Sequence, residues 1–172
     1  MKKIRFGVFE TNSSSTHTIT INGKLKKDLP KSIFKGKSIV IRLEDCEFGW
    51  GFDFFTDAHN KLKYAIMMVI ETEAGKCEKM EDVYNLEGFK TIKSVVKEDI
   101  ILEDDKFCRK SFLRDDGKGN NEYYYLEHSG YIDHQSRENY KSLKDFLDDN
   151  EIDILNFIYN TNVDLIISND NN

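Results

Sequence analysis

Polar and apolar residues alternate in two segments near the start of the chain. In KKIRFGVF (2–9), Ile4, Phe6 and Val8 share one face, with Lys3, Arg5 and Gly7 on the other. In THTITIN (16–22), His17, Ile19 and Ile21 point one way, and Thr16, Thr18 and Thr20 the other. Threonine and isoleucine favour pleated structure. Two strands in an N-terminal hairpin follow, with ETNSSS as a loop longer than the tight two-residue kind. GKLKKDLPKS (23–32) is a basic surface connection carrying the single proline.

Further on, KSIVIRL (37–43) reads as a third strand and EDCEFGWGFDFF (44–55) as an aromatic, glycine-rich loop. The clearest helix is 56–75, capped by Thr56 or Asp57, stopped by Gly75, with Leu62, Ala65, Ile66, Val69 and Ile70 as its buried stripe. A second helix is predicted through 80–97, with Gly88 as a potential break. DIILE (99–103) is a short strand, DDGKGNN (115–121) a strong turn between strands, and EYYYLEH (122–128) the strand after it. GYIDHQS (130–136) is a short extended piece. Residues 142–159 make one helix or two short ones, and VDLIIS (163–168) a last strand. The class expected is α+β: a single domain over 1–172, with a mainly antiparallel sheet of five to six strands packed by about three helices.

Composition agrees with a packed interior. Of 172 residues, 39% are apolar and 12% aromatic, which is ample for a core at this length. The net charge of −6 disfavours direct nucleic-acid binding by simple electrostatics, and leaves open a basic partner. No apolar run reaches the ~18 residues of a membrane span. The basic start MKKIRFGVFETN is followed by too short an apolar stretch for a signal peptide. Cys46, Cys77 and Cys108 are an odd, widely spaced set without a CxxC, expected as reduced thiols in a cytoplasm.

The residues able to carry chemistry fall in polar strings. His17 sits on the core face of its strand beside three hydroxyls, and a buried polar group must be hydrogen-bonded or costs about 1–3 kcal/mol. The loop is otherwise a self-satisfied turn, its Ser and Asn side chains bonding backbone groups. In YIDHQS, the run Asp133 to Ser136 suits a pocket wall better than a core; the plainer reading is a polar turn before a helix. In EFGWG (47–51), Trp50 and the following phenylalanines read as a satellite cluster, and a Glu47 carboxylate held against aromatic surface has grounds for a perturbed proton affinity.

GVFETNSSSTH, EFGW (47–50), YIDHQS (131–136) and a terminal NDN (169–171) together resemble a family of small uncharacterised proteins encoded by bacteriophages and mobile elements. The resemblance spans nearly the whole chain, in the same order. It implies one domain, a mobile-element setting and recurring motif positions, without an established activity. Those positions are Glu10 to Ser15 and His17, Glu47 to Trp50, Tyr131 to Ser136, and Asn169 to Asn171.

Three functions are open. A small enzyme acting on a nucleotide or other phosphorylated or acyl substrate would use Ser13, Ser14 or Ser15 as nucleophile, His17 or His134 as base and Asp133 or Glu47 as the orienting acid. No GxSxG, Walker or GxGxxG pattern accompanies these residues. A metal site from His17, His134, Glu47 and Asp133 or Asp170 has a thinner basis, with no HxH or HxxxH; no metal is expected, and no cofactor is indicated. The favoured function is a binding protein of phage–host conflict that inhibits a basic host defence protein, such as a nucleic-acid-targeting nuclease. In that case acidic runs such as EDD (103–105) and DDNEID (148–153) face the basic partner, and the polar pocket lined by Glu10, Asn12, Glu47, Trp50, Tyr131, Gln135, Ser136, Asn169 and Asp170 is structural or binds a small nucleotide or phosphate.

Overall fold

The computed structural model describes residues 15–25, 29, 34, 36–49, 51–115, 120–133 and 140–169. The α+β class holds. Among these residues the strands are distributed over four small sheets rather than one. The largest has the order β1 (Ser15–Ile21), β9 (Val163–Asn169), β4 (Asp53–Phe55), both pairings antiparallel. β2 (Ser38–Arg42) pairs in parallel with β5 (Asp99–Glu103). β3 (Glu47–Phe48) pairs in parallel with β8 (Tyr131–Ile132). β6 (Cys108–Asp115) and β7 (Asn120–Glu127) form a separate antiparallel pair. The predicted first strand, 2–9, lies outside the described residues, so β1 is seen paired only with β9.

The segment 44–55 is not one loop. It opens with a 3-10 turn (Leu43–Asp45) and contains both β3 and β4. Its glycines hid the strands: they break the alternation between two- and three-residue pieces. β6 was not delimited from sequence, because CRKSFLRD buries little and shows no apolar face.

Helix α1 (Ala58–Glu73) is the centre of the molecule. Asp57 caps it, its carboxylate accepting from the Asn60 amide at 2.9 Å. The burial exceeds the predicted stripe: Lys61, Tyr64, Met67 and Met68 are buried as well as Leu62, Ala65, Ile66, Val69 and Ile70. A helix apolar on nearly every side is one surrounded by other elements. Sheet residues Val163, Leu165 and Ile167 from β9 are fully buried and join the same core.

The predicted helix 80–97 is two pieces, α2 (Met80–Val83) and α3 (Glu87–Val95). The break comes at 84–86 and not at Gly88, which lies in the first turn of α3. Gly88 serves close approach instead. A Cβ there would stand 2.4 Å from Glu73 Oε1 and 2.5 Å from Val69 Cγ2, and the Gly88 amide donates to Glu73 Oε2 at 2.9 Å. Residues 142–159 also divide, into α4 (Leu143–Asp149) and α5 (Ile154–Tyr159), capped by Ser142 and Asp153.

Lys61 is fully buried on α1. Its ammonium donates to the carbonyls of Asn160 and Val163, both at 2.9 Å, where α5 hands over to β9. Burial lowers its pKa to about 8, with Asp164 opposing that shift. The lysine therefore anchors the α5–β9 corner to α1. All three cysteines are free, and burial pushes the Cys46 thiol up to about 12. No helix among the described residues is long and apolar enough to cross a membrane.

Candidate functional site

Among the described residues, the four polar strings come together in two pairs. Ser15 stands opposite Asn169 in the β1–β9 register, so the serine string and the terminal NDN string are neighbours. Glu47 pairs with Tyr131 and Phe48 with Ile132, so EFG and YID lie side by side. The Asp133 amide donates to the Phe48 carbonyl at 2.9 Å and the Tyr131 amide to that of Cys46 at 3.0 Å. His17 and Asp53 both stand opposite Ile167, from its two sides, and so share the inner face of the sheet. The charge of Asp133 acts on both His17 and Tyr131, which links the two halves.

Two glycines make this meeting possible. Gly49 has φ +124°, and a Cβ there would lie 2.5 Å from Asp133 Cβ. Gly130, at φ +71°, would place a Cβ 2.3 Å from the Leu43 carbonyl oxygen. Only glycine meets both the positive φ and the close approach.

His17 points inward as the alternation predicts, with 9% of its surface exposed. Its Nδ1 is hydrogen-bonded to the Tyr64 hydroxyl at 2.9 Å. Nε2 is buried and without a hydrogen-bond partner among the described residues. Burial lowers the imidazole pKa from 6.5 to about 4, while the Asp133 charge raises it. The ring is neutral at pH 7. Tyr64 is fully buried, with its pKa raised by burial, and packs edge-on to Phe48 and Phe157. The histidine is thus held at the boundary between an aromatic core and a polar end.

That polar end is acidic. Burial raises the Tyr131 pKa, and the charges of Glu47, Asp133 and Asp53 raise it further. Among the described residues, the formal charges acting on the phenol are carboxylates. Glu47 is exposed, contrary to the expectation of a carboxylate held against aromatic surface. The β3 alternation turns Phe48 into the core and Glu47 out.

Around His17, the described residues do not form a serine-hydrolase triad. The position where a carboxylate would orient the histidine, at Nδ1, is taken by a tyrosine hydroxyl, and a base with a pKa near 4 is a poor proton acceptor at neutral pH. Ser13, Ser14 and His134 lie outside the described residues, as do Glu10, Asn12, Trp50, Gln135, Ser136, Asp170 and Asn171. Of Ser15 and Asn169 the backbone places are given. No group of three or more His, Cys, Asp or Glu side chains among the described residues is arranged to hold a metal ion.

Two participants were missed from sequence. Asp53 was hidden in a segment read as loop. Tyr64 was left off the helix stripe, although the run YAIMMVI signals burial on more than one face. No protein-family model, no curated protein and no solved structure matches the chain.

Proposed function

We propose that the protein is an accessory protein of a phage or mobile element that binds a basic host protein and blocks it. The acid-rimmed end of the sheet receives a cationic side chain, an arginine or a lysine, from that partner. The observation that carries the reading is that the charges of Glu47, Asp53 and Asp133 all act on the Tyr131 phenol, and that Asp133 acts on the buried His17 as well. Carboxylates whose charges act on one phenol favour a cationic group beside it and steer a basic partner toward it. The net charge of −6 adds long-range attraction of the same sign. A defence protein that handles nucleic acid carries the basic surface this calls for. The enzyme alternative has less support, because His17 is spent on Tyr64 and holds its proton too weakly for general-base work.

Affinity capture from a bacterial host lysate, followed by equilibrium binding to the purified captured protein, tests the reading. The expected partner has a basic surface. A chain carrying Glu47→Gln, Asp53→Asn and Asp133→Asn is expected to bind it at least ~10-fold more weakly. Equal affinity of the two chains refutes the proposal.

A further inference from the structure

The β6–β7 hairpin stands apart from the acidic end and has no part in the proposed function. Its two strands pair only with each other among the described residues. Register fixes its two faces. On one, Phe112 lies opposite Tyr123 and Lys110 opposite Tyr125, with Arg114 and Asn121 toward the turn and Glu127 at the base. Phe112 stacks on Tyr123 with ring centroids 5.7 Å apart and meets Tyr125 edge-on at 6.0 Å. These rings are ordered against one another yet open to solvent: Phe112 is 47% exposed, Tyr123 38% and Tyr125 45%. On the other face, the Arg109 guanidinium covers the Tyr124 ring at 4.6 Å and reaches Glu78 at 3.8 Å. That face leans on the body near its base.

We propose that the Phe112–Tyr123–Tyr125 face is a self-association surface, packed against the same face of a second copy of this chain. Charge selects the occupant. Residues 108–127 carry Arg109, Lys110, Arg114 and Lys118 against Asp115, Asp116, Glu122 and Glu127, a balance of zero, so the whole −6 resides on the remainder. Two copies repel through their bodies and can approach through the hairpin. The neutral balance also removes the basic charge that a nucleic-acid stacking platform needs. Along the face, the cation Arg114 lies at the end away from the base, Lys110 and Glu127 are ion-paired at the base, and the rings lie between. A two-fold arrangement with the hairpins antiparallel sets each Arg114 beside the second copy's Lys110–Glu127 pair, where the carboxylate can be shared, and stacks the rings at the centre. Isologous contacts need this self-complementarity.

The area sets the strength. At the exposed fractions given, the three rings offer about 260 Å² per copy, with aromatic side chains contributing roughly 200 Å² each when fully exposed. Lys110, Arg114, Asn121 and Glu127 bring the total for two copies near the ~1,000 Å² at which specific interfaces begin. The dimer is therefore at the small, weak end of specific association.

Sedimentation equilibrium of the full chain, from about 1 to about 500 μM, tests this. A reversible monomer–dimer equilibrium is expected. Phe112→Asp and Tyr125→Asp, each checked for native circular dichroism, weaken it at least ~30-fold. Leu113→Asp, on the opposite face and 70% exposed, leaves it within ~3-fold. A wild-type chain that stays monomeric throughout overturns the proposal. So does a dimer indifferent to Phe112→Asp and Tyr125→Asp, or one broken equally by Leu113→Asp.

Discussion

Replacing His17 by asparagine removes a titrating group from the heart of the site while keeping an amide near the Tyr64 hydroxyl. The native imidazole has its pKa lowered from 6.5 to about 4, chiefly by burial. The unfolded chain therefore binds a proton between those two values and the folded chain does not. Stability contributed by the neutral ring is full above pH 6.5 and is lost as pH falls toward 4. The distance from 6.5 to about 4 converts to about 3 kcal/mol, at 1.36 kcal/mol for each pKa unit. His59 and the carboxylates titrate in the same range, so wild type alone does not isolate the term. The difference between wild type and His17→Asn does. Urea unfolding of both chains at intervals from pH 7.5 to pH 4 gives that difference. Wild type is expected to lose about 3 kcal/mol relative to the variant as the pH falls across the window. A difference that stays flat with pH refutes the buried neutral histidine, and with it the ordering of this end of the sheet.

Two further outcomes follow from the same packing. Gly49→Ala puts a methyl group 2.5 Å from Asp133 Cβ at a positive φ; it is expected to destabilise by at least about 1–2 kcal/mol in urea unfolding, and to broaden or shift the Tyr131 and Asp133 amide resonances. Lys61→Ala leaves the Asn160 and Val163 carbonyls buried without their donor; thermal unfolding is expected to show a loss of about 3 kcal/mol or more, since each orphaned buried acceptor costs about 1–3 kcal/mol.

The long periodic segments were legible in the sequence. THTITIN placed His17 on the inner face because side chains alternate strictly along a strand, and the register with Ile167 agrees. VDLIIS and the helix from Ala58 were legible for the same reason: an unbroken period over enough residues. The short pieces were not. β3 and β4 have two and three residues, too few to express a period, and glycine separates them. Pairing was invisible as well. Nothing local in EFG or YID says that they lie parallel and adjacent; their contact depends on Gly49 and Gly130 passing close to another backbone. The site was therefore half readable. Glu47, Tyr131, Asp133 and His17 were identifiable as polar residues in odd company, whereas Asp53 and Tyr64 join them only through the fold.

The central claim is that the acidic end of the sheet accepts a cationic side chain. The most direct measurement is an NMR titration of the isotopically labelled chain with N-acetyl-arginine amide, against N-acetyl-glutamine amide as the neutral control. The account predicts saturable shifts confined to the amides of Glu47, Gly49, Asp53, Tyr131 and Asp133. It predicts none with the glutamine compound, and loss of the arginine response in the Glu47→Gln, Asp53→Asn, Asp133→Asn chain. Arginine shifts that are absent, or spread over the acidic surface without saturating, would contradict it.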